Sequence, residues 1–433
     1  MSLLSPIHHA FAPLADWRQV LLATALHCAP WKYRRGKSTE RFRTEIEKDL
    51  GGHAFLFGSG REALLAYLRS IGLKPGEEVI VQALTCVVVP NAVHAAGGRP
   101  VYADIDPETL NLNAASVRKL LSPRTRAVIC QHTFGIPGPL HDLRTLCAAK
   151  GILLIEDCAH TVPDGSGPRG IAATGDAVLL SFGRDKAISG VSGGAMLVKT
   201  NEHLEPMRAF ERESVDLSRR VIVRLLLYPL LYALAKPFYG LGIGKAFLAL
   251  LGRLRILVPI VQPDEKKGDM SPILHRMPNA LACLALDQWK RRKSLNDKRR
   301  KIVAAMWEAL AEQGWLYSQG SPLRVPGAIV PHLPLQKFPV FVKNAEAIRQ
   351  ALKRKNIHLH DGWTGCVICP GSTDLLSLDY QSGSRRMAEQ CSLSILSLPT
   401  HPTMSERKVR DLIRELGSIL SEKNKNFVVQ ERS

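Results

Sequence analysis

The 433-residue chain is short of several things, and each shortage narrows what it can be. It has no disulfide framework: its nine cysteines are odd in number and scattered through strand-like and helix-like stretches, so a reducing cytosol is the expected compartment. Cys366-Val-Ile-Cys369 stands alone, without the second pair that a structural zinc site uses. No basic start followed by an unbroken apolar core is present, so a cleavable signal peptide is not expected. Gly36-Lys37-Ser38-Thr39 has Trp31 where a P-loop needs its first glycine, and no G-x-G-x-x-G follows any candidate strand. A Walker-type phosphate loop and a Rossmann dinucleotide site are therefore both excluded. From Val221 to Val261 there is no acid at all, and the longest uncharged run there, Leu225 to Ala235, falls short of the about 20 apolar residues that cross a bilayer.

What is present is a formal charge of +19 on a chain that is 45% hydrophobic, enough apolar content for more than one core and enough positive charge to expect an anionic partner. From Ala54 to Val198 short apolar runs alternate with helical patterns, which predicts a parallel or mostly parallel sheet with crossover helices. Strands are expected at 78–82, 100–103, 126–131, 152–156, 177–181 and 195–198, and helices at 61–71, 113–121 and 140–150. Val20 to Ala29 reads as a short helix and Thr39 to Leu50 as a capped, charged one. Asn279 to Leu310 reads as one long helical stretch, and the elements at 338–342, 345–355, 394–398 and 407–420 as a small α+β unit with a frayed tail after Glu422.

The chemistry concentrates on three strand ends. Ala177 to Leu180 delivers a hydroxyl at Ser181, and Lys186 follows in a turn that Gly190, Gly193 and Gly194 leave free of side chains, which suits a lysine that a bound molecule must reach. A lysine amine is a nucleophile only when burial or a neighbouring cation lowers its pKa, and Arg184 is the candidate cation. The best-known use of such a lysine is a Schiff base with pyridoxal phosphate, which also needs a phosphate cradle and an acid beside its pyridine nitrogen. Phe55-Leu-Phe-Gly-Ser59-Gly60-Arg61 reads as a strand, a turn and a helix start whose free N–H groups favour a phosphate. Ile152-Leu-Leu-Ile-Glu156-Asp157-Cys-Ala-His160 is a buried strand ending in acid. Ligands of open α/β sheets gather at such carboxyl ends.

The order GSGREAL, IEDCAH, then SFGRDK followed by SGG resembles the DegT/DnrJ/StrS-type nucleotide-sugar aminotransferases, in which SGTxAL, EDxAQ or EDxAH, and SFHxxK followed by EGG recur. The phrase Pro100 to Leu112, His132-Thr-Phe-Gly, Arg276-Met and Leu396-Ser-Leu-Pro-Thr-His-Pro extend the likeness, which covers roughly Gly36 to Val198 and Ile273 to the last helix. The resemblance implies an α/β fold: a three-layer large domain of the pyridoxal-phosphate transferases with a mostly parallel sheet, plus a smaller α+β C-terminal domain. Units are accordingly expected at 1–35 (extension), 36–205 (cofactor-binding), 206–270 (insertion) and 271–433 (interdomain helix and small domain).

By the same resemblance Lys186 would be the Schiff-base lysine, Asp157 the partner of the pyridinium nitrogen, and His160 a neighbour of the phenolic oxygen. Ser59, Gly60 and Ser181 would hold the phosphate, with Arg61 in the same helix turn. Cys86 stands where the family stacks an aromatic ring on the cofactor, Ser192 where it has the Glu of EGG, and Leu274 where the Asn of NxRM reaches the partner subunit's phosphate. A homodimer is implied, as is transfer of an amino group from glutamate to a keto sugar, nucleotide- or lipid-linked, in cell-surface glycan biosynthesis. Lys186 argues against the family's dehydratases, which have histidine there.

Val221 to Val261 interleaves Arg224, Lys236, Lys245, Arg253 and Arg255 with Leu, Tyr and Phe, after Arg219 and Arg220. That pattern suits helices in the interface of an anionic membrane, and predicts a cytoplasmic enzyme peripheral to the inner face of the cell membrane. Gly240-Leu-Gly242-Ile-Gly244 within it reads as a loop. Basic residues mixed with aliphatic ones do not form a base-reading motif, so nucleic acid is not expected. The alternative function is a catalytically inactive, membrane-bound scaffold or sensor, for which Cys86, Ser192 and Leu274 speak.

Overall fold

The computed structural model describes residues 6–8, 16–164, 171–316, 320–359 and 362–430. Seven strands make the central sheet: β1 (His53–Phe57), β2 (Glu78–Gln82), β3 (Arg99–Ala103), β4 (Thr125–Gln131), β5 (Leu153–Asp157), β6 (Ala177–Ser181) and β7 (Gly194–Val198). Their order is β1-β7-β6-β5-β4-β2-β3, extended beyond β1 by the two-residue strands His275–Arg276 and Val215–Asp216. Pairings from β6 to β3 are parallel, and β7 runs antiparallel to both β1 and β6. The strands are apolar on both faces because helices cover both, as a parallel sheet requires. Because β1, β4, β5 and β6 point the same way, their carboxyl ends share one edge, and the residues just after them converge.

Helix boundaries follow the sequence expectation to within a few residues, with informative exceptions. The helices α1 (Trp17–His27), α2 (Lys37–Leu50) and α3 (Gly60–Ser70) come first. α2 starts before Thr39, so Thr39 is no cap; Gly36 precedes it and brings no side-chain bond. A remote residue does the capping: Asn279 Oδ1 accepts from Ser38 N–H at 2.9 Å, while its amide donates to Lys32 O at 2.8 Å. The stretch 279–310 breaks at Arg291, whose guanidinium is held by Asp16 and Asp287. The C-terminal three-stranded antiparallel sheet comprises β8 (Leu323–Arg324), β9 (Lys337–Val342) and β10 (Ile395–Pro399). Its last helix continues to Gln430, beyond the point where a frayed tail was expected.

The acid-free stretch forms α4 (Arg219–Ala235) and α5 (Ile243–Arg253), so the glycine run read as a loop leads directly into a helix. Gly244 is needed there because a Cβ would lie 2.2 Å from Ala235 O. With its short 3₁₀ extension, Arg219–Phe238 is long and apolar enough by length and composition to cross a membrane, although no stretch within it is both that long and free of charge. Ile222, Leu225, Leu226, Tyr228 and Tyr232 are instead buried against the protein, where α4 packs on α1, α5 and the Asn279–Lys290 helix. The opposite surface stays apolar and exposed at Leu234, Phe238, Leu241, Ile243, Leu250 and Leu254.

The basic residues of this stretch divide in a way the sequence did not show. Arg219, Arg220, Arg253 and Arg255 are exposed. Arg224 is turned inward and donates to the carbonyls of Ile256 and Leu257, both at 3.2 Å. Lys236 is half-buried, and burial together with Lys408 lowers its pKa. Lys245 lies 5.1 Å over the Tyr239 ring. Arg224 is thus withdrawn from the set expected to meet lipid phosphates.

Candidate active site

A cavity of about 420 Å³ opens at the carboxyl edge of the sheet, and Ser59, Gly60, Arg61, Cys86, Asp157, His160, Ser181 and Lys186 all line it. These eight residues, named from four separate stretches of sequence, are brought together by the shared direction of β1, β5 and β6. Ser59 caps α3, its Oγ accepting from Glu62 N–H, so the first turn of α3 presents its unpaired N–H groups at the cavity. Gly194 lets β7 lie against this turn: a Cβ there would sit 2.4 Å from Gly60 Cα. The glycines after Lys186 therefore make room for neighbouring chain more than for a ligand; a Cβ on Gly190 would sit 2.8 Å from Leu281 O.

Asp157 ends β5, buried, with one carboxylate oxygen accepting from Ala159 N–H at 2.9 Å. Burial raises its pKa, offset only in part by that bond and by Lys186. The adjacent Glu156 points the other way, which follows from strand alternation. It accepts from Ala172, Thr174 and Gly175 N–H at 2.6, 2.9 and 2.6 Å and faces His132 Nε2 at 3.3 Å. His132, Glu156 and Cys158 lie close enough to hold a metal, but the carboxylate's acceptor capacity is taken by these donors, and the pair reads as a buried post under Asp157.

Lys186 is half-buried in a turn that three distant groups hold. Arg299 donates to Ala187 O, Gln336 to Asp185 O, and Gln288 accepts from Ser189 N–H at 2.7 Å. Burial pulls the Lys186 pKa down, but Asp185, Cys86 and Asp157 together push it above the ordinary lysine value. Arg184 does not act on it as expected: its guanidinium lies 4.3 Å over Tyr228 and donates to Val258 O at 2.7 Å. Burial raises Asp185, yet Lys186 and Lys337 outweigh it and bring its pKa down to about 2. His160 stacks on Phe134 with rings 11° from parallel, and its Nδ1 accepts from Phe134 N–H at 3.2 Å. Phe134 keeps a left-handed φ of 56°, held by that bond and by Gln336 N–H on its carbonyl at 2.8 Å. Burial first, then Lys186 and Lys337, hold the His160 pKa well below its usual value, so the ring is neutral.

Arg61 is less available than expected. It pairs with the buried Glu265 and donates to Ile260 O. Of the three departures, Cys86 faces the cavity beside Cys369, to which Thr85–Cys86 is ladder-paired. Ser192 Oγ donates to Gly58 O at 2.7 Å, and Leu274 is buried with its carbonyl accepting from Val215 N–H.

Sequence reasoning missed Lys337, Trp363 and the segment Val258 to Val261, which also line the cavity. Lys337, 5% exposed on β9, lies 5.5 Å from the Phe134 ring. Trp363 meets His160 edge-on at 5.4 Å. The one available signal was a lysine at the head of the apolar run Phe338–Val342.

A model of the DegT/DnrJ/EryC1/StrS aminotransferase family matches residues 20–225 and 260–417. A GDP-perosamine synthase of Vibrio cholerae is 30% identical over 199 residues, 46% of this chain and 54% of that protein. The chain spans about half the length of the curated relatives it matches. Among solved structures, S. venezuelae DesV in complex with a ketimine intermediate superposes with a TM-score of 0.70 at 20% identity, covering 96% of this chain and 99% of that one. The ntda protein of Bacillus subtilis with bound cofactor PMP gives 0.68 at 20% identity, covering 93% and 82%. The fold is therefore that of these enzymes, and the unmatched residues 226–259 are most of α4 and α5 with the segment that follows.

Proposed function

Because the chain belongs to the DegT/DnrJ/EryC1/StrS aminotransferase family, we propose that it is a pyridoxal-phosphate-dependent aminotransferase. It would take an amino group from glutamate and pass it to a keto sugar in the assembly of a cell-surface glycan. The observation that carries this reading is the meeting of Lys186, Asp157 and His160 with Ser59, Gly60 and Ser181 in one cavity.

These residues fit the cofactor. The cradle between Gly60 and Ser181 is one a side chain would fill, since a Cβ on Gly60 would lie 3.0 Å from Ser181 Oγ. A helix start and two hydroxyls are the donors a phosphate uses. Asp157 has the burial and raised pKa of an acid that a pyridinium beside it would ionise. When bound, pyridoxal phosphate supplies an electron sink and a carrier for the amino group. Lys186 anchors it and, once displaced by the donor, moves the proton at the donor's α-carbon. Asp157 keeps the ring nitrogen charged. His160, neutral and with Nδ1 occupied, has Nε2 left to donate to the phenolic oxygen. Trp363, which also packs on His160, supplies the aromatic surface that Cys86 does not.

The purified protein should be yellow, and borohydride reduction with peptide mapping should leave the cofactor's mass on Lys186. Mass on another lysine, Lys337 included, would displace the assignment. A protein colourless at saturating cofactor would favour the inactive scaffold.

The active unit in this reading is a homodimer, although Leu274, being buried, is not the residue that completes the partner's site. Full activity in a species that sediments as a monomer would refute it. The enzyme sits on the cytoplasmic face of an anionic membrane: the exposed apolar side of α4 and α5 enters the headgroup boundary while Arg219, Arg220, Arg253 and Arg255 meet phosphates. Co-sedimentation with anionic but not zwitterionic vesicles supports this. No binding at low salt would return that surface to a protein partner.

A further inference from the structure

One side of the cavity is built by the end of the unmatched segment and its immediate neighbours, as a strap spanning residues 256–262. Val258, Pro259, Ile260 and Val261 line the cavity, joined by Leu225 of α4. None of these side chains can form a hydrogen bond. Four of the strap's carbonyls are already engaged: those of Ile256 and Leu257 accept from Arg224, that of Val258 from Arg184, and that of Ile260 from Arg61. A nucleobase or ribose is recognised by hydrogen bonds to its edges and hydroxyls, and the side chains of this wall have none to give. What it can do is cover hydrocarbon.

Two further observations say what kind of hydrocarbon. Ile260 lines the cavity while remaining 43% exposed, so the apolar wall runs out to the surface. Lys266, partly exposed, stands at the same rim just beyond the strap, and no ion pair engages it among the described residues. A cation beside an apolar exit matches a phosphate at the head of an apolar chain. Resting on the aminotransferase reading above, we infer that the acceptor is a lipid-linked keto sugar. Its ring faces Lys186, its phosphate faces Lys266, and the first isoprene units lie on the strap and leave past Ile260 towards the exposed apolar side of α4 and α5.

The test uses full-length protein reconstituted with cofactor and farnesyl diphosphate carrying a terminal diazirine as the probe. Photolysis and peptide mapping should place the label on 256–261 or on Leu225. Unlabelled farnesyl diphosphate should protect these positions, whereas UDP, GDP or dTDP at equal concentration should not. Ile260→Asp, at a position exposed enough to tolerate charge, should cut labelling at least about tenfold. Lys266→Gln should weaken competition by farnesyl diphosphate several-fold and leave competition by farnesol unchanged. Protection by a nucleoside diphosphate as strong as by farnesyl diphosphate would overturn the inference in favour of a nucleotide site. Label confined to the outer faces of α4 and α5, unchanged by Ile260→Asp, would overturn it in favour of plain surface adsorption. The cofactor's absorbance, read on the same samples, separates these failures from a failure of the aminotransferase reading, since a colourless protein can still be labelled or not labelled on the strap.

Discussion

The floor and the wall of the cavity come from stretches built on opposite rules. On the floor, charge is buried or half-buried and answered: Glu156 by His132 and three backbone N–H groups, Asp185 by two lysines, Lys186 by Asp185 and Asp157. At the wall, Arg184 and Arg224 turn inward onto backbone carbonyls with no acid paired to either among the described residues. A buried ion left without a partner costs several kcal/mol, so the floor tolerates few changes. A carbonyl bonded to an arginine makes no demand on the side chain beside it, so the wall is fixed in path and free in composition. The family model matches the floor throughout, and the stretch it passes over, 226–259, reaches the wall at Val258 and Pro259.

The sharpest way to break this contrast is to remove a floor charge and find little change. Asp157→Asn should lower turnover on the order of 10²–10⁴-fold while leaving thermal stability near the parent's, measured by steady-state kinetics and melting. Glu156→Ala, one position away, should do the reverse. It strands His132 and three donors, so about 3–5 kcal/mol of stability should be lost in denaturant titration. A milder result would mean that the post under Asp157 is dispensable. Ser59→Ala and Ser181→Ala should each weaken cofactor binding by roughly 1–3 kcal/mol in equilibrium dialysis, as expected for a bond to a charged group. In the wall, Arg224→Gln should leave cofactor content unchanged and speed amide exchange across 256–258 by about tenfold, equivalent to roughly 1.4 kcal/mol. Exchange that speeds equally in β5 would show that wall and floor are one cooperative unit.

The smallest effect concerns the seam between the wall and the C-terminal part. His358 meets Tyr239 edge-on at 5.2 Å, and burial, Lys245 and Lys353 together lower its pKa to about 4. The unfolded chain takes up its proton near pH 6.5 and the folded one only near 4. Stability should therefore fall as pH drops from about 6.5 towards 4. His358→Asn should flatten that slope, as read from melting temperatures between pH 7 and 5.

Most of the floor was legible because its residues follow strands. An apolar run says where a strand ends, and parallel ends meet, so Ser59, Asp157 and Ser181 could be placed together before any coordinates. Adjacency along the chain misled where orientation mattered: Arg184 sits two residues from Lys186 yet turns to Tyr228, and Arg224 sits in a basic amphipathic pattern yet faces inward. Lys337 and Trp363 were not legible, because a C-terminal strand and loop bring them to the cavity and no local period announces that. The strap had no signal either, being four apolar residues among many.

The three arginines that hold the strap have a consequence for how related chains could diverge. Since Arg61, Arg184 and Arg224 hold carbonyl groups that every residue type possesses, mutations at Val258, Ile260 or Val261 change what the pocket accepts without loosening the loop that carries them. A lineage could exchange one acceptor for another by single steps there, each tested on a scaffold that stays folded. The arginines themselves would be the slow-changing positions, and Arg61, shared between the first turn of α3 and the strap, would be the slowest of all.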